Sequence, residues 1–371
     1  MIDPAEPRDK ERQVTLVVQQ LRRDVPGGIG TYTKELVRAL VARGDEDPEW
    51  LTLYASRSRG RNDPLRRLGA TLRTTPIPGP LLTRLWEVGT GPRVAGSGIV
   101  HAPSLAIPPT HLPLVVTIHD LAFRIVPEAF SAHGRHWHER ALRRAARVAD
   151  AFIVPSESVS NQLLEAGLEI ASTRVHVITE GSDHLEAPDL VATRSLLERN
   201  GIHGRYILSV GTIEPRKNLA RLISAYAKVR DRLVEPCTLV ICGPTGWMAE
   251  VEPTKGVVSV GSVSGGVLAG LYAGAEVVAY IPLSEGFGLP AVEAMRQSAV
   301  VLSSAVPSAA TGAFLVDPLD VNEIAEGLVV CTTDGALRAR LQSEGREYSE
   351  KLTWARTAEE HLRVWNELGV R

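Results

Sequence analysis

Residues 206–226 read YILSVGTIEPRKNLARLISAY. The opening apolar run is typical of a buried strand, and the loop after it ends in two cations and an asparagine. Apolar side chains then recur with helical period behind Asn218, at positions 219, 222, 223 and 226. This spacing predicts a helix that Asn218 caps and that buries one face. A strand, a loop and an amphipathic helix in this order form the repeating unit of a doubly wound parallel sheet.

The same alternation of apolar runs and helical stretches continues on both sides of this segment. Upstream runs are TLVVQQ at 15–20, LVVTIHD at 114–120 and AFIVPS at 151–156. Downstream runs are TLVICG at 238–243, VVSV at 257–260 and VVAYIP at 277–282. A polar, proline-containing stretch lies between the two series, at about residues 184–204. The pattern predicts two doubly wound α/β units, and 371 residues suit two cores better than one.

Composition narrows the class of protein. Hydrophobic residues make up 44% and charged residues 23%, which is typical of a globular protein. The net charge of −2 argues against a nucleic-acid partner, which would favour a basic excess. The cysteines, Cys237, Cys242 and Cys331, form no CxxC pair, and the charged start MIDPAEPRDKERQ does not resemble a signal peptide. We therefore expect a cytoplasmic protein without a disulfide framework or a zinc site.

Parallel sheets place ligands beyond the carboxyl ends of their strands, so the residues there are the first candidates for a site. Arg216 and Lys217 follow the strand that begins at Tyr206. Paired cations stabilise the negative charge that develops on a departing nucleoside diphosphate. A solvated cationic turn is the alternative interpretation.

The stretch SEGFGLPAVEAM at 284–295 carries a second candidate site. Glu285 stands on a loop with an open, glycine-containing backbone, Pro290 suits the first turn of a helix, and Glu293 follows on that helix. Amides of the loop can bind phosphate, and each carboxylate can accept hydrogen bonds from neighbouring hydroxyls of a sugar or a ribose. In the alternative interpretation Glu293 only complements the helix dipole, and Glu285 is exposed.

A glycine-rich loop follows the first strand, in DVPGGIGTYTKELVRAL at 24–40. Gly27, Gly28 and Gly30 are expected to end the loop, and Thr31 to open a helix. The amides there suit an anion, but a tight turn explains the glycines equally well. The spacing departs from GxGxxG because Thr33 stands at the third position, which disfavours a nicotinamide enzyme.

Five motifs together resemble glycosyltransferase family 4. They are GGIGTY at 27–32, HDLAF at 119–123, VPSESVSNQLLEAG at 154–167, GTIEPRKN at 211–218 and EGFGLPAVE at 285–293. The last matches the Glu-x7-Glu motif of the family, and the most similar branch contains bacterial mannosyl- and rhamnosyltransferases of surface polysaccharides. The resemblance implies the GT-B fold, with two Rossmann-like doubly wound domains that face a central cleft. The expected domains are residues 1–190 for the acceptor and 200–353 for the donor, with a final helix at 354–371 that packs back on the first domain.

The resemblance also implies roles for individual residues. Arg216 and Lys217 would bind the donor diphosphate. Glu285 would bind the sugar hydroxyls and Glu293 the ribose. The backbone of the intervening loop would complete the donor pocket, through Gly286, Phe287, Gly288 and Leu289.

Residues of the first domain would complete the reaction centre. Gly28, with Gly30 beside it, would approach the phosphates or the acceptor. His119 and Asp120 would line the reaction centre, although a strand-end turn held by side-chain hydrogen bonds is an alternative for this pair.

The resemblance further implies transfer that retains the anomeric configuration and needs no metal. The co-substrate would be a nucleoside diphosphate sugar, GDP-mannose or a UDP- or TDP-sugar, with no other cofactor. The acceptor would be a glycan, a lipid-linked molecule or a small molecule. One departure favours a second hypothesis: the segment after Met295 is shorter than in the family and lacks its Gly-x-Pro and Pro-Glu elements. A noncatalytic protein that binds a sugar nucleotide or a glycan therefore stays open.

Two weaker signals lie in the first half. Three histidines near Trp137 suggest a metal site, but ordinary helix residues explain His133, His136 and His138 better. Arginines are concentrated in two stretches, at 57, 59, 61, 66, 67 and 73 and at 135, 140, 143, 144 and 147. They suit peripheral contact with an anionic membrane at the inner face of the plasma membrane, an anionic acceptor, or plain solvation.

Overall fold

The computed structural model describes residues 13–43, 50–58, 63–233, 237–246 and 254–369. The described chain divides into two compact units. The first contains the residues up to His119, His136–Ile178 and the C-terminal stretch from Ala355. The second contains Asp120–Arg135 and Thr179–Trp354. Arg59 and Arg61, which belong to the first arginine-rich stretch, lie outside the described residues.

The first unit is built on a seven-stranded parallel sheet with the strand order β3-β2-β1-β4-β5-β6-β7. Its strands are β1 Val14–Val17, β2 Leu51–Ser56, β3 Thr71–Thr75, β4 Ile99–Ala102, β5 Leu114–Thr117, β6 Ala151–Val154 and β7 Val175–Val177. Every residue of β4, β5 and β6 is buried, as expected where both faces of a parallel sheet are covered. The helices in this part of the chain are α1 Gly27–Val41, α2 Gly79–Glu87, α3 Ala122–Ile125, α4 Ala132–Val148 and α5 Glu157–Leu164.

The second unit is built on a six-stranded parallel sheet with the order β10-β9-β8-β11-β12-β13. Its strands are β8 Arg205–Val210, β9 Cys237–Cys242, β10 Val257–Gly261, β11 Val277–Tyr280, β12 Val301–Ser303 and β13 Ala313–Leu315. The helices are α6 Leu190–Arg199, α7 Leu219–Val229, α8 Gly265–Gly274, α9 Leu289–Arg296, α10 Val321–Thr333 and α11 Gly335–Glu350. Leu222, Tyr226 and Val229 of α7 join the buried core beside Ile207 of β8. The predicted amphipathic helix of the opening segment is confirmed.

The last helix, α12 Trp354–Leu368, returns to the first unit from Ala355 onward. Trp365 and His361 of this helix are buried there. In the other direction, the segment Asp120–Arg135 belongs to the second unit although it lies within the predicted first domain. Its apolar residues Ala122, Val126 and Ala129 form a small cluster with Leu283. The fold class, two Rossmann-like doubly wound units, is confirmed.

Local details correct two predictions about helix starts. Helix α1 begins at Gly27 rather than Thr31, so the glycines form its first turn. Asn218 stands at the N-cap of α7, but its backbone is left-handed, with φ of 61°, and its side chain does not cap the helix. Instead the side-chain amide of Asn218 donates to the Pro318 carbonyl. Helix α10 does have a side-chain cap, because the Asp320 carboxylate accepts from the Asn322 and Glu323 amides.

None of the helices among the described residues combines the length and the apolar character that a bilayer span requires.

Candidate active site

The candidate donor site lies at the carboxyl ends of β8 and β11. These neighbouring strands form the point where the order of the second sheet reverses, which is where doubly wound sheets bind ligands. The turn after β8 carries Arg216 and Lys217, and the loop after β11 carries Glu285. The two loops are joined by a hydrogen bond from the Leu283 amide to the Arg216 carbonyl, 2.9 Å long.

Both cations contact the same carboxylate oxygen. Glu285 Oε1 lies 2.7 Å from Arg216 Nη1 and 2.5 Å from Lys217 Nζ. Arg216 also pairs with Glu214, at 2.8 Å, and Lys217 Nζ donates to the Tyr280 hydroxyl, at 3.1 Å. The side chains of Arg216 and Lys217 are 14% and 13% exposed, and that of Glu285 is 12% exposed. A solvated cationic turn and an exposed Glu285 are therefore both excluded.

The charges of the cluster govern its protonation. Burial alone would raise the pKa of Glu285, but Arg216 and Lys217 lower it to about 2. Burial would lower the pKa of Arg216, yet Glu285 and then Asp120 raise it above its ordinary value. Burial raises the pKa of Glu214, against the opposing effect of Arg216. Near neutral pH the cluster therefore holds an ionised Glu285 beside charged Arg216.

The loop from Glu285 to Leu289 is supported by the segment after β12. The Ser308 hydroxyl donates to the Gly288 carbonyl at 2.7 Å, and the Ser308 amide donates to the Phe287 carbonyl at 3.0 Å. Gly288 has φ of 105°, and a Cβ there would lie 2.7 Å from Ser308 Oγ. Glycine is thus required on two grounds, backbone conformation and space. Gly286 and Phe287 are buried, and α9 begins directly afterwards at Leu289.

Glu293 lies on α9 with both carboxylate oxygens engaged. His184 Nε2 lies 3.0 Å from Oε1, and the Tyr272 hydroxyl donates to Oε2 at 2.8 Å. The residue is 7% exposed. Its contacts are specific and buried, so a mere dipole partner on the surface of the helix is excluded.

The candidate residues of the first half fall in different places. His119 follows β5 in the first unit, and its Nε2 lies 3.1 Å from the Pro103 carbonyl. Asp120 belongs to the second unit, where its carboxylate accepts from the Ala122 amide at 3.0 Å and its charge acts on Arg216. Asp120 makes the hydrogen bond of a strand-end turn and in addition contributes to the field at the cation cluster, whereas His119 contacts the residue that follows β4.

Two of the three glycines in the first turn of α1, Gly28 and Gly30, differ in their surroundings. A Cβ at Gly28 would meet nothing within 4 Å, whereas a Cβ at Gly30 would lie 2.2 Å from Pro26 Cβ. Gly30 is therefore required for packing within its own turn. Gly28 leaves the start of α1 open, as an anion site or an acceptor site needs.

A buried chain of hydrogen bonds runs through the first unit. Its direction is determined because one end of it is a carbonyl oxygen, which can only accept. His361 Nδ1 lies 2.6 Å from the Thr357 carbonyl, which only accepts, so Nδ1 carries the proton and Nε2 accepts from the Tyr32 hydroxyl at 2.6 Å. Thr117 then donates to Tyr32, at 3.2 Å, and accepts from His101 Nε2, at 2.8 Å. The Tyr32 ring also packs edge-on against His119, with centroids 4.7 Å apart.

The second arginine-rich stretch lies largely on helix α4. Four of its arginines line a shallow depression of about 300 Å³ together with Glu87 and Val88, at positions 140, 143, 144 and 147. Arg140 pairs with Glu87, and Arg143 pairs with Glu139. Val88 is 70% exposed. The surface is thus cationic with an apolar edge.

Several site residues are absent from the sequence-based predictions. Tyr280 is the last residue of β11, and Glu214 precedes Arg216 in the loop after β8, so the strand-end rule used for the cations would have found both. His184 and Tyr272 reach Glu293 from distant parts of the chain, and no local pattern marks them.

Comparison with known proteins agrees with this architecture. The model of Glycosyltransferase Family 4 matches residues 26–184, and that of glycosyl transferases group 1 matches residues 198–348. Anabaena Alr3699/HepE, solved in complex with UDP-glucose, superposes with a TM-score of 0.72 at 18% identity, over 97% of this chain and all of that chain. Two Rossmann-like units of this kind define the GT-B architecture. The chain belongs to the glycosyltransferases, with a family 4 domain in its first half and a group 1 domain in its second.

Curated relatives carry mannosyltransferase names. The serotype-specific mannosyltransferase WbdA of Escherichia coli is 28% identical over 288 residues, which cover 70% of this chain and 34% of that protein. The O-antigen chain mannosyltransferase B of Escherichia coli is 25% identical over 359 residues, which cover 88% of this chain and 92% of that protein. The chain thus spans about a third of the length of WbdA.

Proposed function

We propose that this protein is a retaining glycosyltransferase that moves a hexose from a nucleoside diphosphate sugar to a glycan, lipid-linked or small-molecule acceptor without a metal. The observation that carries the proposal is the buried cluster of Arg216, Lys217 and Glu285 at the switch point of the second sheet. The names of the mannosyltransferase relatives make GDP-mannose the first donor to test, and the UDP-glucose complex of the structural neighbour makes UDP-sugars the second.

In the proposed reaction the residues position the donor and stabilise charge. The bond between the anomeric carbon and the phosphate oxygen breaks, and the acceptor oxygen bonds to the same face of that carbon. The departing phosphate takes the acceptor proton. Arg216 and Lys217 stabilise the charge of the diphosphate, the first amides of α9 bind a phosphate oxygen, and Glu285 orients the sugar. Glu293 binds the ribose, and His119 and Asp120 lie near the reacting atoms.

Titration calorimetry of the metal-free protein with UDP, GDP and TDP tests the donor site. We expect one nucleotide to bind, and its affinity to fall by roughly 10-fold or more in Lys217→Ala and in Glu293→Ala, because each loses a hydrogen bond to a charged group. Lys228→Ala on the exposed face of α7 is the control, and its affinity should not change. Equal affinities in all three variants would contradict the assignment.

A second candidate function is a noncatalytic protein that binds a sugar nucleotide or a glycan. The departure from the family pattern after Met295 favours it, although Ser308 in that segment supports the Gly288 loop. Turnover distinguishes the two functions. Nucleotide binding without formation of a new glycosidic product from any candidate acceptor would favour the noncatalytic protein.

The arginines of α4 suggest how a lipid-linked acceptor would be approached. We expect sedimentation with vesicles that contain phosphatidylglycerol, and none with pure phosphatidylcholine. The double variant Arg143→Gln/Arg147→Gln should bind roughly 25-fold more weakly, because each surface cation contributes a factor of roughly five. The control Arg340→Gln/Arg346→Gln removes two exposed arginines of α11 and should leave binding unchanged. Identical sedimentation of both double variants would show that the α4 arginines are only a solvated surface.

A further inference from the structure

The carboxylate of Glu293 is reached by a chain of hydrogen bonds whose direction is determined. Trp354 Nε1 lies 3.2 Å from His184 Nδ1. An indole N–H only donates, so His184 Nδ1 accepts, and the proton of the neutral ring must lie on Nε2. Nε2 therefore donates to Glu293 Oε1 over 3.0 Å. The tautomer of His184 is set by Trp354.

The arrangement holds the Glu293 carboxylate in one orientation. Tyr272 donates to the second oxygen at 2.8 Å. The side chains of His184 and Glu293 are 8% and 9% exposed, so water replaces these bonds poorly. An ionised carboxylate accepts about four hydrogen bonds, which leaves acceptor capacity on both oxygens after His184 and Tyr272 have donated. That capacity suits a pair of neighbouring hydroxyls.

Trp354 occupies a particular place in the chain. It is the last residue of the second unit and the first of α12, and its backbone amide donates to the Asp183 carboxylate at 2.8 Å. Ser182 directly precedes Asp183, and its backbone amide donates to the Leu352 carbonyl at 3.0 Å. The segment that enters the second unit is thus bound to the segment that leaves it, and His184 extends from this junction to Glu293.

We propose that His184 is a positioning residue for the donor ribose and that Trp354 orients it. The inference rests on the proposed role of Glu293 as the ribose-binding carboxylate and adds two residues that act through it. It implies that Trp354, at the point where the chain leaves the second unit, affects the selectivity for the ribose hydroxyls. His184 and Trp354 themselves need not touch the nucleotide.

The test compares affinities for UDP and GDP with those for their 2′,3′-dideoxy counterparts. The unaltered protein should prefer the ribonucleotide that it binds by roughly 100-fold, since two hydroxyls bond to a charged group. His184→Ala should reduce that preference to roughly 10-fold or less. His184→Gln should restore most of it, because the amide can donate to Glu293 and accept from Trp354. Trp354→Phe should give an intermediate preference, and Trp365→Phe on the same helix should leave it unchanged.

Each outcome separates the inference from the proposed function. A general loss of folding would weaken ribo- and dideoxynucleotides alike and leave their ratio unchanged, so an unchanged ratio in His184→Ala and Trp354→Phe overturns the inference. If Glu293→Ala retains the full preference, or neither UDP nor GDP binds the unaltered protein, the proposed role of Glu293 fails first, and the inference fails with it. A ratio that falls in His184→Ala and recovers in His184→Gln supports it.

Discussion

Lys217→Ala is expected to lower the rate of sugar transfer by roughly 100- to 1,000-fold, the usual effect of removing one preorganised group that stabilises developing charge. Lys217 is 13% exposed, and Arg216, the other cation on the same Glu285 oxygen, already pairs with Glu214 and Glu285. Because Glu285 keeps its contact with Arg216, the variant should still fold. The loss should therefore appear in kcat more than in stability.

The measurement is release of the nucleoside diphosphate and formation of the glycosidic product, with the donor whose nucleotide binds in the calorimetric titration. Lys228→Ala is the matched control, since Lys228 lies on α7 and donates to the Asn322 side chain at the surface. EDTA should leave the rate of the unaltered protein unchanged. A rate for Lys217→Ala within threefold of the control would remove Lys217 from the proposed chemistry.

Acidification between pH 6.5 and 4 is expected to destabilise the first unit by about 3 kcal/mol. Burial lowers the pKa of His361 from 6.5 to about 4. Burial, and then the neighbouring His361, lowers the pKa of His101 as well. In this pH range the unfolded chain binds protons that the folded chain does not, so stability is full above pH 6.5 and falls as the pH drops toward 4. Protonation of His361 Nε2 would also turn this nitrogen from an acceptor into a donor, so its hydrogen bond with Tyr32 would have to reverse.

Chemical denaturation at a series of pH values measures this effect. His361→Gln removes the titrating group, so its stability should be lower at pH 7 but should fall less between pH 6.5 and 4. His133→Gln, at an exposed position of α4, is the control and should keep the slope of the unaltered protein. An equal slope in His361→Gln would contradict a role for His361 in the loss.

Local sequence determined the architecture and much of the proposed donor site. Alternating apolar runs and helical stretches are sufficient for two parallel sheets, because strands and helices follow periodic burial over a few residues. The strand-end rule placed Arg216, Lys217 and Glu285 at one edge, because neighbouring parallel strands end at the same side of the sheet. The predicted start of α1 was wrong, since glycines can begin a helix. The predicted cap of α7 was wrong because Asn218 has a left-handed backbone and its side-chain amide donates to the Pro318 carbonyl instead.

Only the tertiary structure decided which side chains meet across long separations. His184 and Tyr272 donate to Glu293 directly, and Trp354 acts on it through His184. A second buried chain of hydrogen bonds contains Tyr32, His101 and His361. Neither set has a spacing that periodicity can detect, because each member comes from a different element. The sequence determined the elements and the chemistry at the ends of strands, through local burial and backbone preference. The structure determined tautomers, ion pairs and the junction at Trp354, because these depend on distances between segments that only folding brings together.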